Sequence, residues 1–497
     1  MGSLVKGVII HESLLVHEYA TASFHPSARS LLRKLRHSNL HNGISYSPSL
    51  PDNKVGVLKK MAIEYSFDCF LLNDESSIGG VNEITLSWGG TGGKILYLVP
   101  SSKKDAFCQL SNLGWIIVVL DVEGAGACEN SGVVCISKVE ELPVIICGLN
   151  RKAIGDKAVT VGYIMKPSRA EDFAKRGAFP MNSTPNGLMF LPLTFELPLP
   201  SQLQLVDLVL HKATDEIISV DLSGSSQSSN RITFSPGIQE LQRYMEHHPD
   251  CFAIDPLDKI YPVLDRLKIQ QILLGLDDLN KEGRRAIRGP HFLKVNGFDD
   301  PDLAQSLSEA KLSLPSIVKP QVACGVADAH SMAITFRVED FKDLDVPLPA
   351  IVQEYVDHSS TIFKIYVLGE RVFYAVKKSI PNVDVLTISS ERNELGPLLF
   401  DSLKSLPTGT EHSTAADSFK TNIDSFDLEL VTDAANWLAR QLDLTIFGFD
   451  VVIQEGSADH VIVDVNYLPS FKEIPDDIAV PAFWDAIRQK FESIKRK

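Results

Sequence analysis

The chain has 497 residues, of which 44% are hydrophobic and 22% charged, and its formal net charge is −15. That length predicts about two to four domains, and the charge argues against nucleic acid or an anionic membrane as main partner. No apolar run reaches the roughly 18 residues of a membrane span. Seven cysteines without paired spacing favour reduced thiols. The apolar start is too short for a signal peptide, so we expect a cytoplasmic protein. We also expect a monomer.

Residues 1–150 alternate short apolar runs with segments of helical spacing. This alternation predicts a small Rossmann-like α/β domain with a parallel sheet. The predicted strands are Gly7–Ile10, Phe67–Leu72, Lys94–Val99 and Trp115–Asp121, and the predicted helices are Ser27–Arg36 and Lys54–Glu64.

Two motifs in this first domain approach catalytic patterns and miss them. The glycine run Gly89–Lys94 lacks the first glycine and the final Ser or Thr of a phosphate-binding P-loop, since Trp88 and Ile95 occupy those places. The first strand leads into His11–Ser13, where a haloacid-dehalogenase-like domain carries its Asp-x-Asp nucleophile. The domain therefore resembles a degenerate relative of that fold, and we predict that residues 1–150 are not catalytic.

A second unit begins near Arg151, and we divide it into residues 151–265, 266–350 and 351–497. The polar stretch Ser223–Asn230 predicts a mobile loop. Further predicted elements before residue 280 are the strands Ala158–Ile164 and Gln204–Lys212, the strand and turn Cys251–Pro256, and the helices Arg169–Lys175, Pro236–His247 and Leu267–Leu274.

A lysine at a strand end indicates a phosphate site. The strand Pro315–Lys319 is followed by the small-residue loop Gln321–Ser331 and by the strand Met332–Phe336. The lysine ammonium is a compact charge, and backbone N–H groups of such a loop can surround phosphate oxygens. We therefore predict a phosphate-binding loop here.

The next segment predicts a sheet, a long loop and a helix. We expect Ala350–Val356 and Thr361–Leu368 to be antiparallel neighbours, followed by the strand Arg371–Lys378. The Ser/Thr-rich stretch Ser389–Phe419 predicts a mobile lid or a disordered loop. The helix Asp427–Leu442 has one apolar stripe along its length, which predicts one buried face.

One lysine within these strands is ambiguous. Lys364 shares a strand face with Ile362 and Tyr366. A lysine on an apolar strand face either extends to solvent or meets an anion. The residues alone leave both interpretations open.

A hairpin near the end of the chain has the most informative pattern. Two β-branched-rich segments, Thr445–Ile453 and Val461–Asn466, are joined by the turn-prone Glu455–Asp459. If the hairpin is symmetric about Ser457, each residue of the first strand has a defined partner on the second. This predicts which side chains face each other.

In that register two acids lie opposite each other. Asp450 faces Asp464, and Gly448 faces Asn466 across the hairpin, all four on one face. Like charges about 5 Å apart repel, and a divalent cation turns that repulsion into a binding site suited to Mg²⁺. Gly448 would leave space for a substrate. A slip of one residue would instead give two solvated surface acids.

The order of these motifs resembles the ATP-grasp fold and, from about residue 157 onward, the inositol 1,3,4-trisphosphate 5/6-kinase family. The preceding 150 residues resemble the N-terminal extension of its long plant members. The residues that carry the resemblance are Val161–Tyr163, His211–Asp215, Asp255–Pro256, Leu264–Arg266, Val318–Lys319, Gln353–Lys364, Phe447–Asp450 and Ile462–Asn466.

The resemblance implies ATP-dependent phosphorylation of inositol tris- and tetrakisphosphates with two Mg²⁺ ions, and catalytic roles for Lys319, Lys364 and Asp464. ATP would contact Arg266, Lys319, Gln353, Glu354, Tyr355, Val356, Lys364, Ser379 and Ser402. The inositol phosphate would contact Arg169, Lys212, His330, Lys364, Asn466 and Ser470. Magnesium would be bound by Asp450, Asp464 and Asn466.

The chain departs from the family pattern at three places and leaves two other functions open. Ser470 and Cys324 stand where other residues are usual, and Lys377–Lys378 replaces an expected arginine, whose bidentate geometry lysine lacks. These departures concern substrate orientation and leave the phosphorylated hydroxyl undetermined. The alternatives are an ATP-grasp ligase that joins a carboxylate to an amine, and a non-catalytic inositol phosphate sensor.

Overall fold

A computed structural model describes residues 4–16, 26–72, 77–89, 92–121, 132–155, 157–221, 232–280, 285–388, 396–404 and 425–496. The chain divides into two compact units, the first of residues 1–211 and 240–252 and the second of residues 212–239 and 253–497. Within the described ranges no helix is both long enough and apolar enough to cross a membrane. The domain limits at residues 150, 265 and 350 stay predictions.

The strands and helices are as follows. The strands to residue 300 are β1 (Val5–His11), β2 (His41–Tyr46), β3 (Asp68–Leu71), β4 (Lys94–Pro100), β5 (Ile116–Leu120), β6 (Val133–Ile136), β7 (Val159–Ile164), β8 (Leu188–Pro192), β9 (Leu208–His211), β10 (Ile217–Val220), β11 (Ile232–Phe234), β12 (Phe252–Ile254), β13 (Ile287–Arg288) and β14 (Phe292–Val295). Those that follow are β15 (Ser316–Pro320), β16 (Ser331–Thr335), β17 (Ala350–Glu354), β18 (Thr361–Leu368), β19 (Arg371–Lys378), β20 (Leu398–Asp401), β21 (Ile446–Ile453) and β22 (His460–Tyr467). The α-helices are α1 (Pro26–Arg36), α2 (Asp52–Tyr65), α3 (Ser77–Ser87), α4 (Lys104–Phe107), α5 (Leu142–Ile154), α6 (Pro167–Lys175), α7 (Leu199–Leu203), α8 (Pro236–His247), α9 (Leu257–Ile260), α10 (Arg266–Leu273), α11 (Leu303–Glu309), α12 (Val383–Ile388), α13 (Leu428–Leu442) and α14 (Asp476–Lys495).

The first unit contains the predicted parallel sheet. Its strands lie in the order β3-β2-β1-β4-β5-β6, and each neighbouring pair is parallel. Apolar side chains cover both faces, with Val8 and Leu96 in one cluster and Ile9 and Tyr97 in the other. Burial on both faces explains why these strands read as continuous apolar runs. A second group of parallel strands has the order β9-β7-β8.

Two sequence predictions in the first unit are wrong in part. The predicted strand Gln204–Lys212 begins only at Leu208, because the backbone N–H groups of Leu205 and Val206 still donate to carbonyls at the end of α7. Cys135 takes part in a disulfide bond, so the expectation of seven reduced cysteines fails there. The free cysteines among the described residues are Cys69, Cys108, Cys147, Cys251 and Cys324.

The second unit contains two five-stranded sheets. One has the order β13-β22-β21-β18-β19 and the other β14-β17-β15-β16-β20. The predicted antiparallel pairing of Ala350–Val356 with Thr361–Leu368 is wrong, because β17 pairs with β14 and β15 while β18 pairs with β19 and β21. Ser359 and Ser360 have φ values of 50° and 54°, and this turn carries the chain from one sheet to the other.

The long polar loop predicted at Ser389–Phe419 contains a strand. Leu398–Asp401 forms β20, which pairs antiparallel with β16. The remainder of that prediction at 389–395 and 405–419, the loop predicted at Ser223–Asn230, and Gly90 and Thr91 of the glycine run lie outside the described residues.

The helix predicted at Asp427–Leu442 is confirmed. Asp427 caps α13, since its carboxylate accepts a hydrogen bond of 2.9 Å from the backbone N–H of Leu430. The predicted apolar stripe is buried along its whole length and consists of Leu430, Val431, Ala434, Ala435, Leu438 and Leu442.

Candidate active site

The hairpin register predicted from the sequence is confirmed where it matters for the site. In β21 and β22, Asp450 lies opposite Asp464 and Gly448 lies opposite Asn466. The register shifts by one residue between Asp450 and Val451, so the symmetry does not extend toward the turn. The two acids therefore face each other on adjacent strands.

A third strand extends this pair into a row of charged side chains. Lys364 of β18 lies opposite Asp450, and its Nζ is 2.9 Å and 3.2 Å from the two carboxylate oxygens. Lys364, Asp450 and Asp464 thus form one row across three strands, which we call the charged row. The ambiguity of Lys364 is resolved, because its ammonium meets an anion.

The electrostatics of the charged row favour a cation. Burial, reinforced by Asp464, raises the pKa of Asp450 although Lys364 opposes the shift. Burial alone would lower the pKa of Lys364, but the carboxylate of Asp450 outweighs it and the net shift is upward. Two facing carboxylates, of which one is paired with a lysine, offer oxygen ligands of the kind that Mg²⁺ prefers. Asn466, the third predicted ligand, lies beside Asp464, and its Nδ2 donates to Asp464 Oδ2 at 3.0 Å.

The space expected at Gly448 is filled. A Cβ at this position would lie 2.7 Å from the backbone oxygen of Ile365 and 3.1 Å from Cγ of Pro469. Gly448 is thus required by the close approach of β18 and of the segment after β22. The expectation that it leaves room for substrate is wrong.

The opposite sheet contributes a lysine that points at the hairpin. Lys319 lies in β15, is 9% exposed, and its Nζ is 3.4 Å from the backbone oxygen of Val463 in β22. Burial lowers its pKa to about 8, while Asp464 and Asp450 oppose that shift. The candidate site therefore lies between the two sheets of the second unit.

Arg266 organises the predicted phosphate loop. This buried guanidinium, at the start of α10, donates to the backbone oxygens of Pro320, Val322, Ala323 and Ala329 at 2.6–3.4 Å. Burial lowers the pKa of Arg266. Most of its fork of donors is used by the loop, so its first effect on ATP would be to fix the loop.

Two further contacts fix the same loop. Gly325 has a φ of 87°, and a Cβ there would lie 2.7 Å from Ile217 of β10, so the loop packs closely against that strand. At the other end His330 Nδ1 is 3.1 Å from Ser402 Oγ, and Ser402 N–H donates to the His330 carbonyl. Burial lowers the pKa of His330. His330 and Ser402, predicted for different ligands, are direct neighbours.

The predicted adenine segment, Gln353–Val356, spans the end of β17 and the two residues after it. Glu354 accepts two hydrogen bonds from Arg288, at 2.7 Å and 2.9 Å, and another of 2.9 Å from the His291 backbone, so its side chain is engaged. Gln353 is buried. Among the described residues the backbone N–H of Val356 has no hydrogen-bond partner. This segment can therefore bind an adenine base through its backbone groups.

The remaining predicted residues are placed as follows. Lys212 donates to the backbone oxygen of Tyr467, directly after Asn466. Tyr355 donates through its hydroxyl to the Pro381 carbonyl, and Ser379 donates through its backbone N–H to Ser360. Ser470 lies four residues after Asn466. Arg169 belongs to α6 of the first unit, and its role stays a prediction.

The residue that anchors the hairpin is Asp255, a role that no pattern in the sequence predicted. Asp255 is fully buried, and its Oδ2 accepts hydrogen bonds from the backbone N–H groups of Thr445 and Ile446 at 2.8 Å and 3.4 Å. The hydroxyl of Tyr467 accepts from the Asp255 backbone at 2.8 Å. Burial raises the pKa of Asp255 to about 6. The motif Asp255-Pro256 was visible in the sequence, but its distant partners were not.

A second missed group lies beside the charged row. Glu473 accepts hydrogen bonds from the hydroxyl of Tyr366 and from Nζ of Lys377. Burial alone would raise the pKa of Glu473, but Lys377 and Tyr366 outweigh it and lower the pKa. No spacing in the sequence connects these three residues.

The chain matches two family profiles. Residues 1–152 match the family described as "ITPK4, N-terminal HAD-like domain", and residues 281–484 match the "Inositol 1,3,4-trisphosphate 5/6-kinase ATP-grasp domain". These matches confirm the predicted fold class, an ATP-grasp core preceded by a haloacid-dehalogenase-like α/β domain.

Curated relatives give the same result. The chain is 48% identical over 505 aligned residues to inositol-tetrakisphosphate 1-kinase 6 of Oryza sativa subsp. japonica, covering 100% of this chain and 91% of that protein. It is 27% identical to inositol-tetrakisphosphate 1-kinase of Danio rerio, covering 58% of this chain and 69% of that protein. A RimK domain ATP-grasp structure from Sphaerobacter thermophilus, 13% identical over 66% of this chain and 99% of its own, gives a TM-score of only 0.36 and supports no argument. By its full-length similarity to the rice protein, this chain belongs to the inositol 1,3,4-trisphosphate 5/6-kinase family.

Proposed function

We propose that this protein transfers the γ-phosphoryl group of ATP to a hydroxyl of an inositol tris- or tetrakisphosphate. The observation that supports this proposal most strongly is the charged row of Lys364, Asp450 and Asp464, opposite Lys319 of the second sheet. Phosphoryl transfer needs positioned cations around the moving group and little covalent chemistry from the protein. Lys319 is one such cation, and the carboxylates of the charged row would hold the metal ions that supply the others.

ATP would lie between the two sheets. The base would bind backbone groups of Gln353–Val356, since the Glu354 carboxylate is held by Arg288. The phosphates would meet the loop that Arg266 fixes, together with the ammonium of Lys319. With a pKa of about 8, Lys319 is mostly protonated at pH 7 and donates to a phosphate oxygen.

Asp450, Asp464 and Asn466 would hold the metal. Two bound Mg²⁺ ions would supply positive charge to the outer phosphates of ATP. Asp450 and Asp464 keep their carboxylates facing each other because the strand register fixes them, and Lys364 holds Asp450 in place. Asp255 in turn secures the start of β21.

The acceptor would lie beyond Asn466. Lys212 reaches the backbone at Tyr467, and Lys364 lies on the same face of the sheet as Asn466, so both can contact phosphates of an inositol ring. We assign no strong general base, because the loose transition state places little demand on deprotonation of the attacking hydroxyl. These cations are the local positive surface that an anionic substrate needs in an acidic protein.

The experiment that tests the proposal is turnover of a panel of inositol phosphates with ATP and Mg²⁺, with products separated by isomer. We expect ATP-dependent formation of a product with one more phosphate from at least one tris- or tetrakisphosphate. An ATP-grasp ligase would instead release ADP only with a carboxylate and an amine. A non-catalytic sensor would bind the panel without turnover.

A further inference from the structure

Glu473 lies against the part of the sheet that would receive the inositol ring. It contacts Tyr366 and Lys377, which lie on β18 and β19. Tyr366 is opposite Gly448, which is opposite Asn466, so Tyr366 belongs to the row next to the charged row. The Glu473 carboxylate therefore borders the proposed acceptor site.

The position of Lys377 makes this contact informative. Lys377 lies opposite Ile362, and so it shares a face with Lys364 and is its diagonal neighbour at about 7–8 Å. Two lysines at that distance would together bind a phosphate group. Glu473 neutralises Lys377, and its carboxylate also accepts a hydrogen bond from the hydroxyl of Tyr366.

Both side chains can be reached by a ligand. The side chain of Lys377 is 37% exposed and that of Glu473 is 16% exposed. A phosphate that approaches Lys377 meets the Glu473 carboxylate and is repelled, whereas a hydroxyl can donate a hydrogen bond to it. The Glu473 carboxylate would thus distinguish a hydroxyl from a phosphate by repelling the phosphate, and repulsion of an unwanted ligand is a common source of specificity.

We propose that Glu473 is a specificity-determining residue that excludes a phosphate group between Lys364 and Lys377, so that the site accepts inositol phosphates with a free hydroxyl there. This inference rests on the proposed function, because it assumes that the inositol ring binds beside the charged row. It adds to that function the substrate feature that the site recognises, a free hydroxyl at this position.

The test measures binding in the absence of ATP, which separates it from turnover. Dissociation constants for inositol hexakisphosphate, which has no free hydroxyl, and for inositol 1,3,4-trisphosphate are measured by calorimetry at one ionic strength. In Glu473→Gln the ratio of the hexakisphosphate to the trisphosphate constant should fall about tenfold, the order expected when one lysine gains a charged hydrogen bond. Gln keeps the shape and can still accept from Tyr366.

Three variants serve as controls. Glu492→Gln removes an exposed carboxylate paired with Arg488 and should leave the ratio unchanged. Glu473→Gln combined with Lys377→Met should show a smaller fall in the ratio, because the repulsion is removed but the freed lysine is absent. Lys377→Met alone leaves the negative charge of Glu473 without its lysine partner, so the ratio should rise. This variant therefore tests the role of Glu473 even if Glu473→Gln does not fold.

The outcomes are distinct. A ratio in Glu473→Gln within twofold of the wild-type value, or a ratio in Lys377→Met that does not rise, would overturn the role of Glu473. Failure of the wild-type protein to bind either ligand would overturn it as well. Binding ratios that change as expected in a protein without turnover would reject the kinase proposal and leave this inference standing.

Discussion

Two polar clusters in this protein are constructed in opposite ways. In the first unit His11 Nδ1 is 2.9 Å from Ser13 Oγ, and His11 Nε2 is 3.5 Å from Glu12 Oε2. In the second unit the charged row and Lys319 come from four strands of two sheets. The first cluster is assembled within three consecutive residues, and the second needs the complete fold of its unit.

The difference shows what to expect of each cluster. His11 caps the short turn that follows β1, since its Nδ1 accepts the Ser13 backbone N–H at 3.3 Å, so a structural role accounts for it. In the second unit, the facing carboxylates of Asp450 and Asp464 and the buried ammonium of Lys319 are held at a cost in desolvation and repulsion. Groups held at such a cost are typical of sites that bind ions or substrates.

The largest expected effect is loss of phosphoryl transfer in Asp464→Ala. Removing the carboxylate that would serve both metals should lower kcat on the order of 10³-fold or more. Asp433→Asn, an exposed acid on α13, is the matched control and should keep full activity. Steady-state kinetics of the two variants, with circular dichroism to verify folding, measure the effect. Substantial activity in a folded Asp464→Ala protein contradicts the metal assignment.

The next effect separates the two substrates. Lys319→Ala should raise the KM for ATP by roughly ten- to a hundredfold, because one charged hydrogen bond to a phosphate is lost. Arg169→Ala and His330→Ala should chiefly raise the KM for the inositol phosphate. Lys342→Ala and His247→Ala, which replace exposed side chains, are the controls and should change neither KM. If His330→Ala changed only the KM for ATP, the placement of the loop would be wrong.

A smaller effect concerns stability of the hairpin anchor. The pKa of Asp255 is about 6 in the folded protein and about 4 when unfolded, so the folded state holds its proton more tightly. The stability that the protonated Asp255 side chain contributes is therefore fully present below about pH 4 and is lost as pH rises through about 6. The free energy of unfolding should fall by up to about 3 kcal/mol over this range.

Urea unfolding at several pH values measures this effect. Asn at position 255 cannot ionise and can still accept from Thr445 and Ile446. The difference in unfolding free energy between Asp255→Asn and wild type should thus change between pH 4 and pH 6, in favour of the variant at the higher pH. A difference in unfolding free energy that stays constant between pH 4 and pH 6 would contradict the raised pKa of Asp255.

The smallest expected effect is in the first unit. Glu12→Ala in the full chain should leave kcat and both KM values within about twofold of wild type, since the cluster is a local cap. The wild-type protein should show no phosphatase activity that depends on Glu12. A phosphate ester hydrolysed by wild type and not by Glu12→Ala would show that the first unit carries a second active site.

The sequence was most informative where local rules decide the structure. Strand alternation and one turn gave the facing pairs Asp450–Asp464 and Gly448–Asn466, and the apolar period gave the buried stripe of α13. The segment at Asp357–Ser360 looked like a hairpin turn. The predicted pairing of the two flanking strands was wrong, because β17 and β18 belong to different sheets and do not pair with each other.

The rest depended on contacts between residues far apart in sequence. Asp255 bonds the backbone at Thr445, and Glu473 bonds Tyr366 and Lys377, over separations that no motif records. β20 was hidden in a polar stretch because its partner strand β16 supplies the pairing. Such features follow from the assembled fold and could not be read from periodicity.

The most direct test of the account is anomalous diffraction from crystals grown with Mn²⁺ and a non-hydrolysable ATP analogue. Mn²⁺ takes the place of Mg²⁺ with the same oxygen ligands, and its anomalous signal locates it. We predict peaks within about 2.0–2.3 Å of carboxylate oxygens of Asp450 and Asp464, with Lys319 against the analogue's phosphates. Metal and nucleotide bound elsewhere, with Asp450 and Asp464 free of both, would contradict it.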